Sequence, residues 1–380
     1  MSAISRRVAL AVPLALLAGL LAAPMLAPAS PAHAAPTTSY AYVHADRPGV
    51  PPGTFYTASG PRTYNSTGGA IYVHKYEPGL YYVEIVGVAT KQDANLGVAH
   101  ATAYGDTPSF CAILSTTRVL RLNPKNGAIT YAGIGIRVQC TNPAGQATDS
   151  EFTLSWASAT GVGDGFRDFA YLTTNDVDRS HEPLPEYQYN STGLSNKVSW
   201  VSTGRYRVML RGLGNKGLDP NDEKGHVQVT SHGGGSTRCK VAYFLTLPES
   251  TQVDVSCHDW RGQPINTRFS LTYTRDASLV WTGWGAYTWV QGHEEHPDEQ
   301  WTYPDVTRVT LGVGSDEGRY WVSTYLDGFM PKGNVHVTAE GPGAHYCKVV
   351  SWDADKGIQV RCFDYLGNSI RNPFLVSYVL

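Results

Sequence analysis

Charge is scarce in this 380-residue chain: Asp, Glu, Lys and Arg make up 16% of it, and the 30 basic residues nearly cancel the 32 acidic ones to leave a formal charge of −2. Neither sign is in excess, so the global attraction that carries a basic protein to nucleic acid or to an anionic membrane is missing. Helical periodicity is equally scarce. Beyond residue 34 no convincing amphipathic stretch of helical length occurs, which excludes an all-helical fold, and no apolar run there is long enough to span a bilayer as a helix. Several chemical signatures are absent as well: no Gly-x-Ser-x-Gly elbow, no Cys-x-x-Cys pair, and no glycine-rich phosphate loop opening a helix. What remains is 39 Gly, 23 Pro, 23 Tyr and 9 Trp, a composition of short strands joined by turns.

The first 34 residues read as an address. Arg6 and Arg7 precede the apolar run Val8–Ala23, and Ala32-His33-Ala34 has the small-x-small form that a signal peptidase cuts. Pro13 interrupts the run and Pro24 ends it, which disfavours a membrane anchor. The expectation is a signal peptide over 1–34, cleaved before Ala35, and a secreted, extracellular product with no later membrane insertion.

Internal repeats organise everything after it. One signature runs Cys140-Thr-Asn142-Pro-Ala-Gly145 to Phe152-Thr-Leu154-Ser-Trp156, then Cys257-His-Asp259-Trp-Arg-Gly262 to Phe269-Ser-Leu271-Thr-Tyr273, then Cys362-Phe-Asp364-Tyr-Leu-Gly367 to Phe374-Leu-Val376-Ser-Tyr378. A second lies upstream, at Gly97–Gly105, Gly225–Gly233 and Gly333–Gly341, with small apolar and polar residues alternating as a strand with one buried face requires. A third, Gly-x-Tyr-x-Val, recurs at Gly79, Gly204 and Gly318. An Ala-Tyr pair opens each unit at Tyr42, Tyr171 and Tyr287, and Tyr64-Asn-Ser-Thr-Gly68 returns as Tyr189-Asn-Ser-Thr-Gly193. The chain is therefore expected to be all-β: three tandem antiparallel β-sandwich modules of about 110 residues, at 35–160, 161–277 and 278–380.

Two cysteines fall in each module. Six cysteines admit many pairings, and the repeat selects Cys111 with Cys140, Cys239 with Cys257 and Cys347 with Cys362, one disulfide per module. The first pair encloses Pro124-Lys125-Asn126-Gly127, which predicts an extended hairpin with an Asn-Gly turn.

No catalytic set recurs with the repeat. The residues common to all modules are glycines, cysteines, core aromatics and threonine, together with Asn142, Asp259 and Asp364, whose side chains are expected to hold the turn after the second cysteine. His293 and His296 lie in Gly292–Glu299, one residue short of the His-Glu-x-x-His spacing that puts two imidazoles on one helical face. That segment reads as a solvated acidic loop, with a metal site at His293 and His296 as the alternative. Asp219-Pro-Asn221-Asp222-Glu223 lacks the full calcium-loop pattern and reads as a turn.

Four histidines, His100, His226, His232 and His336, lie in the second signature. His100 and His336 hold its polar alternation position, His226 and His232 are read as outside it, and such a lone histidine on a polar face is expected to be an ordinary exposed side chain. Trp281, Trp284 and Trp301 crowd the start of the third module and are the candidate binding residues. Trp281 and Trp284 are read first as packing between modules, and Tyr287 and Trp289, on one strand face, as buried.

These signatures, Gly-x-Tyr-x-Val, Gly-x-Val-x-Val-Thr-Ala-x-Gly and Cys-x-Asp-x-x-Gly with Phe-x-Val-Ser-Tyr, resemble a repeated disulfide-containing β-sandwich module of secreted proteins from filamentous soil bacteria, most of them uncharacterised. The resemblance covers the whole mature chain and implies no reaction and no catalytic residue. The reading is thus a secreted, non-enzymatic repeat protein without cofactor, a rod or arc presenting loops and aromatic patches to an extracellular protein, cell-envelope or polysaccharide partner. The alternatives are a carbohydrate-binding module array and a metal-dependent extracellular hydrolase using His293 and His296.

Overall fold

A computed structural model describes residues 37–90, 95–122, 124–160, 168–215, 225–280, 285–291, 299–303, 310–313, 317–323 and 332–380. The leader, the Asp219–Glu223 segment, Trp281, Trp284, His293 and His296 lie outside the described residues.

Twenty-five strands account for nearly all regular structure among the described residues. Module one holds β1 (Thr37–Ala45), β2 (Phe55–Thr57), β3 (Thr63–Asn65), β4 (Ile71–Glu77), β5 (Leu80–Val86), β6 (Val98–Ala103), β7 (Phe110–Leu122), β8 (Ile129–Thr141) and β9 (Phe152–Thr160). Module two holds β10 (Asp168–Thr173), β11 (Gln188–Asn190), β12 (Lys197–Ser202), β13 (Arg205–Arg211), β14 (His226–His232), β15 (Thr237–Thr246), β16 (Ser250–Asp259) and β17 (Arg268–Arg275). Module three holds β18 (Gly285–Val290), β19 (Glu299–Tyr303), β20 (Thr310–Val313), β21 (Arg319–Ser323), β22 (Asn334–Ala339), β23 (Tyr346–Asp353), β24 (Gly357–Phe363) and β25 (Phe374–Val379).

Each module pairs these strands antiparallel in the same two orders: β3-β1-β9-β6, β11-β10-β17-β14 and β19-β18-β25-β22 on one side, and β4-β5-β8-β7, β12-β13-β16-β15 and β20-β21-β24-β23 on the other, with β2 added at the edge of β4. A single parallel pairing of His232 with Ile113 joins β14 to β7, so that sheets of modules one and two run together as nine strands. The repeated landmarks fill the space between. Tyr81 and Val83, Tyr206 and Val208, and Tyr320 and Val322 come from one sheet, and Phe152 to Trp156, Phe269 to Tyr273 and Phe374 to Tyr378 from the other. Phe152, Phe269 and Phe374 are all 0% exposed, and each ring so placed contributes roughly 1.5–3 kcal/mol of transfer free energy.

The three disulfides join directly opposed residues of neighbouring strands, Cys111–Cys140, Cys239–Cys257 and Cys347–Cys362, and leave no cysteine free. An oxidising, extracellular environment is what sustains such a set. The long hairpin is present too: β7 and β8 run 13 residues each, against 10 each for β15 and β16. The turn after the second cysteine is built as the side chains require, with the Gln146, Gln263 and Asn368 amides donating to Oδ1 of Asn142, Asp259 and Asp364 at 3.0, 2.8 and 2.8 Å.

The arrangement of the modules corrects the expected rod or arc. Ala34–Leu380 is one compact unit, and the modules close into a ring about a common pseudo-threefold axis. The glycine ending the second signature makes the closure: Gly105 N–H donates to Val349 O at 3.0 Å, Gly341 to Val241 O at 3.1 Å and Gly233 to Ile113 O at 2.7 Å. Each accepting carbonyl immediately precedes a β-bulge, at Ile113/Ser115, Val241/Tyr243 and Val349/Ser351, where the ladder leaves backbone groups unpaired. Module one thus bonds to three, three to two, and two to one.

A second ring of contacts repeats the symmetry. Trp260 lies over Gly145, Tyr365 over Gly262 and Pro143 over Gly367, each so close that a Cβ on the glycine would fall 2.6 to 2.9 Å from the ring of the next module. The glycine five residues after each cysteine is therefore a landing site for a neighbouring module as well as a turn residue.

Candidate functional site

Strands β6, β14 and β22 line the axis. Ala99 and Ala101, Val227 and Val229, and Val335 and Val337 point into their own cores, so the residues between them meet at the centre in layers. His100, Gln228 and His336 form one layer and Thr102, Thr230 and Thr338 the next. The bonds cross between modules: His100 Nδ1 lies 3.0 Å from Thr230 Oγ1 and its Nε2 2.8 Å from Thr272 Oγ1, while His336 Nδ1 lies 3.0 Å from Thr102 Oγ1. Gln228 Nε2 donates to Val337 O at 3.3 Å.

This overturns two expectations. His100, His226, His232 and His336 are buried, at 1%, 0%, 5% and 0% exposure, because the polar face of each strand meets other modules and not water. His226 and His232 also project from the face of Gln228 and Thr230, since alternation places all four on one side of β14; the ring of His226 stacks on Tyr287 of module three at 5.5 Å. Burial holds all four imidazoles neutral, lowering His226, His232 and His336 to about 3 and His100 well below its ordinary value. The partners of His100 are hydroxyls and not carboxylates, so it forms no proton relay of the triad type. No cluster of three His, Cys, Asp or Glu suited to a metal occurs among the described residues.

Above the threonine layer the axis widens into a cavity of about 60 Å³. Phe110, Arg238 and Tyr346, the residues before the first cysteine of each module, line it together with Lys240 and Lys348. Ala112 stands at the corresponding place in module one.

The outer surface carries a second feature, on module one. Phe55, His74, Tyr82 and Arg137 are directly opposed residues of β2, β4, β5 and β8, forming a row across four strands and spanning about 14 Å at the usual strand spacing. Tyr72 and Tyr76 flank His74 along β4. Ring centroids are 4.9 Å apart for Phe55 and Tyr72, 4.1 Å for His74 and Tyr76 and 6.1 Å for Tyr76 and Tyr82, and the Arg137 guanidinium stands 5.8 Å over Tyr76. Tyr82 lies against Gly135 of β8, where a Cβ would be 2.2 Å from its hydroxyl, so the missing side chain lets the ring lie across the sheet. Phe55 is 56% and Tyr76 39% exposed.

Beside this face the hairpin of β7 and β8 ends in exposed Leu120, Leu122 and Ile129. Of the residues proposed from sequence for binding, Trp301 belongs to β19 opposite Tyr287, and Tyr287 and Trp289 are buried as expected. The aromatic face went unread, although Tyr72, His74 and Tyr76 alternate with Ile71 and Val73, the mark of a strand whose second face is aromatic. Comparison with protein-family models, with curated proteins and with solved structures finds no match to this chain.

Proposed function

We propose that this is a secreted, non-enzymatic binding protein whose recognition surface is the aromatic face of module one and whose ligand is an extracellular or cell-envelope polysaccharide. The observation that carries the reading is the five-ring group of Phe55, Tyr72, His74, Tyr76 and Tyr82, solvent-accessible on one sheet face and terminated by Arg137. Flat rings held by a rigid sheet present apolar faces to the C–H faces of sugar rings at little conformational cost, and the flanking Arg and Tyr hydroxyls supply directional polar contacts. The closed ring of modules supports this by making the platform rigid. The alternative of platform tryptophans in module three draws no support from the described residues.

A protein partner is the second reading, favoured by the apolar hairpin tip of Leu120, Leu122 and Ile129. Retention of the purified protein on insoluble glycans, including cellulose, chitin and peptidoglycan, separates the two. Retention that is weakened in Tyr82→Ala and kept in Leu122→Ser supports the polysaccharide reading; no retention on any glycan, or retention indifferent to Tyr82, overturns it.

A further inference from the structure

We propose that the axial cavity is a binding site for one small oxyanion, a sulfate- or phosphate-like group, held by Arg238, Lys240 and Lys348. The cavity, at about 60 Å³, has room for more than a single water and excludes anything as large as a nucleotide. All three cationic side chains are buried, at 7%, 4% and 1% exposure.

None of the three is neutralised by a hydrogen-bonded carboxylate among the described residues. Lys348 Nζ donates to Thr107 O at 2.7 Å and Ser109 Oγ at 3.0 Å, and Lys240 Nζ to Pro342 O at 3.2 Å and Glu340 O at 3.4 Å. Arg238 Nη2 donates to Asp259 O at 3.1 Å and Trp260 O at 3.3 Å, and its guanidinium lies over the rings of Phe110 and Tyr346 at 4.6 and 4.8 Å. Its Nε and Nη1 are buried without a partner. A lysine can escape such a site by losing its proton, whereas a guanidinium cannot, so a buried arginine with two idle donors calls for an anion.

The repeat supplies an internal control. Module one places Phe110 and Ala112 where module two places Arg238 and Lys240, and module three pairs Tyr346 with Lys348. At the boundary where Gly233 bonds to Ile113 O, Ala112 stands in place of a lysine and the modules still meet, whereas Lys240 and Lys348 bond across the other two boundaries, so a lysine is not required at every boundary.

Burial lowers Lys240 and Lys348 to about 7. Glu340, Arg205, Arg238, His258 and His345 surround Lys240, Asp106 and Glu151 lie toward Lys348, and Asp259, Asp364, Tyr346 and His345 lie toward Arg238. A bound dianion has to keep both ammoniums charged, so binding above neutral pH takes up protons and weakens as pH rises.

The test is calorimetric titration of the intact protein with sodium sulfate, ionic strength held constant with chloride, at pH 6.5 and pH 9. One sulfate per chain is expected, bound about tenfold or more weakly at pH 9, with an enthalpy that tracks the ionisation heat of the buffer. Arg238→Met is expected to abolish binding, Lys348→Met serves if that variant does not fold, and the wild-type proton uptake stands as a reading independent of both. Absence of saturable sulfate heat, or sulfate binding that both Arg238→Met and Lys348→Met leave unchanged, overturns the proposal. Tyr82→Ala is expected to bind sulfate as the wild type does, which keeps this outcome separate from that of the polysaccharide reading.

Discussion

The indole of Trp260 in module two lies over Gly145 in module one, where a Cβ would fall 2.6 Å from the indole Cγ. Gly145 also has φ of 79°, in the region that costs an L-residue roughly 1–2 kcal/mol. Gly145→Ala therefore combines backbone strain with a clash across a module boundary, and a loss of about 2–4 kcal/mol is expected. Urea unfolding checks it. Gly127→Ala is the control, with φ of 68° but nothing near the added carbon, and is expected to lose only the backbone part; equal losses in the two variants would remove the contact from the account.

The contrast between what the residues disclose and what they conceal follows from this ring. The cysteine register, the Asx turns at Asn142, Asp259 and Asp364 and the Asn-Gly hairpin are local, each fixed by a few neighbouring residues, and each was legible. Closure was not, because a strand alternating small apolar with polar residues reads identically whether its polar side meets water or two symmetric copies of itself. The available signal was the kind of polarity. Positions 98, 100, 102, 226, 228, 230, 334, 336 and 338 carry Val, His, Thr, Gln and Asn and no Lys, Arg, Asp or Glu, which suits mutual hydrogen bonding better than solvation. The aromatic face was hidden for a related reason: Tyr72, His74 and Tyr76 are ordinary strand residues, and only pairing across β2, β4, β5 and β8 assembles them.

Neutral buried histidines make stability depend on pH in a fixed direction. His226, His232 and His336 titrate at about 3 and His258 at about 4 in the folded chain, all through desolvation first, against an ordinary value near 6.5. Between those limits the unfolded chain binds the protons, so the stability is full above pH 6.5 and is lost as pH falls toward 4, by up to about 1.4 kcal/mol per pH unit for each histidine. Thermal unfolding at pH 8, 6 and 4.5 is expected to show a progressive fall that steepens below 6. A profile flat over that range would mean the imidazoles are not enclosed as described.

Stacking platforms lose affinity ring by ring. Tyr76 and Tyr82 occupy the middle of the aromatic face, and replacing either with Ala is expected to weaken retention on the bound polysaccharide by roughly 5–30-fold, about 1–2 kcal/mol. Tyr82→Phe keeps the ring and removes the hydroxyl, so it is expected to retain most of the binding. Depletion assays with increasing glycan give the affinities, and an equal loss in Tyr82→Phe and Tyr82→Ala would assign the contact to the hydroxyl and not to the face.

His100 spans two modules through both ring nitrogens, and Thr272 Oγ1 at 2.8 Å is the shorter partner. Thr272→Val keeps the volume and removes the hydroxyl, leaving a fully buried imidazole nitrogen with no partner, which is expected to cost about 1–3 kcal/mol. Removing the imidazole as well, in His100→Leu with Thr272→Val, takes away the orphaned polar group, so the double variant is expected to lose less than the sum of the two single losses, by about 0.5–3 kcal/mol. Urea midpoints for the four proteins complete the cycle. Because His100 belongs to module one and Thr272 to module two, a coupling energy of zero would mean that the modules do not meet at the axis in solution, and the ring would have to be abandoned in favour of independent beads on a chain.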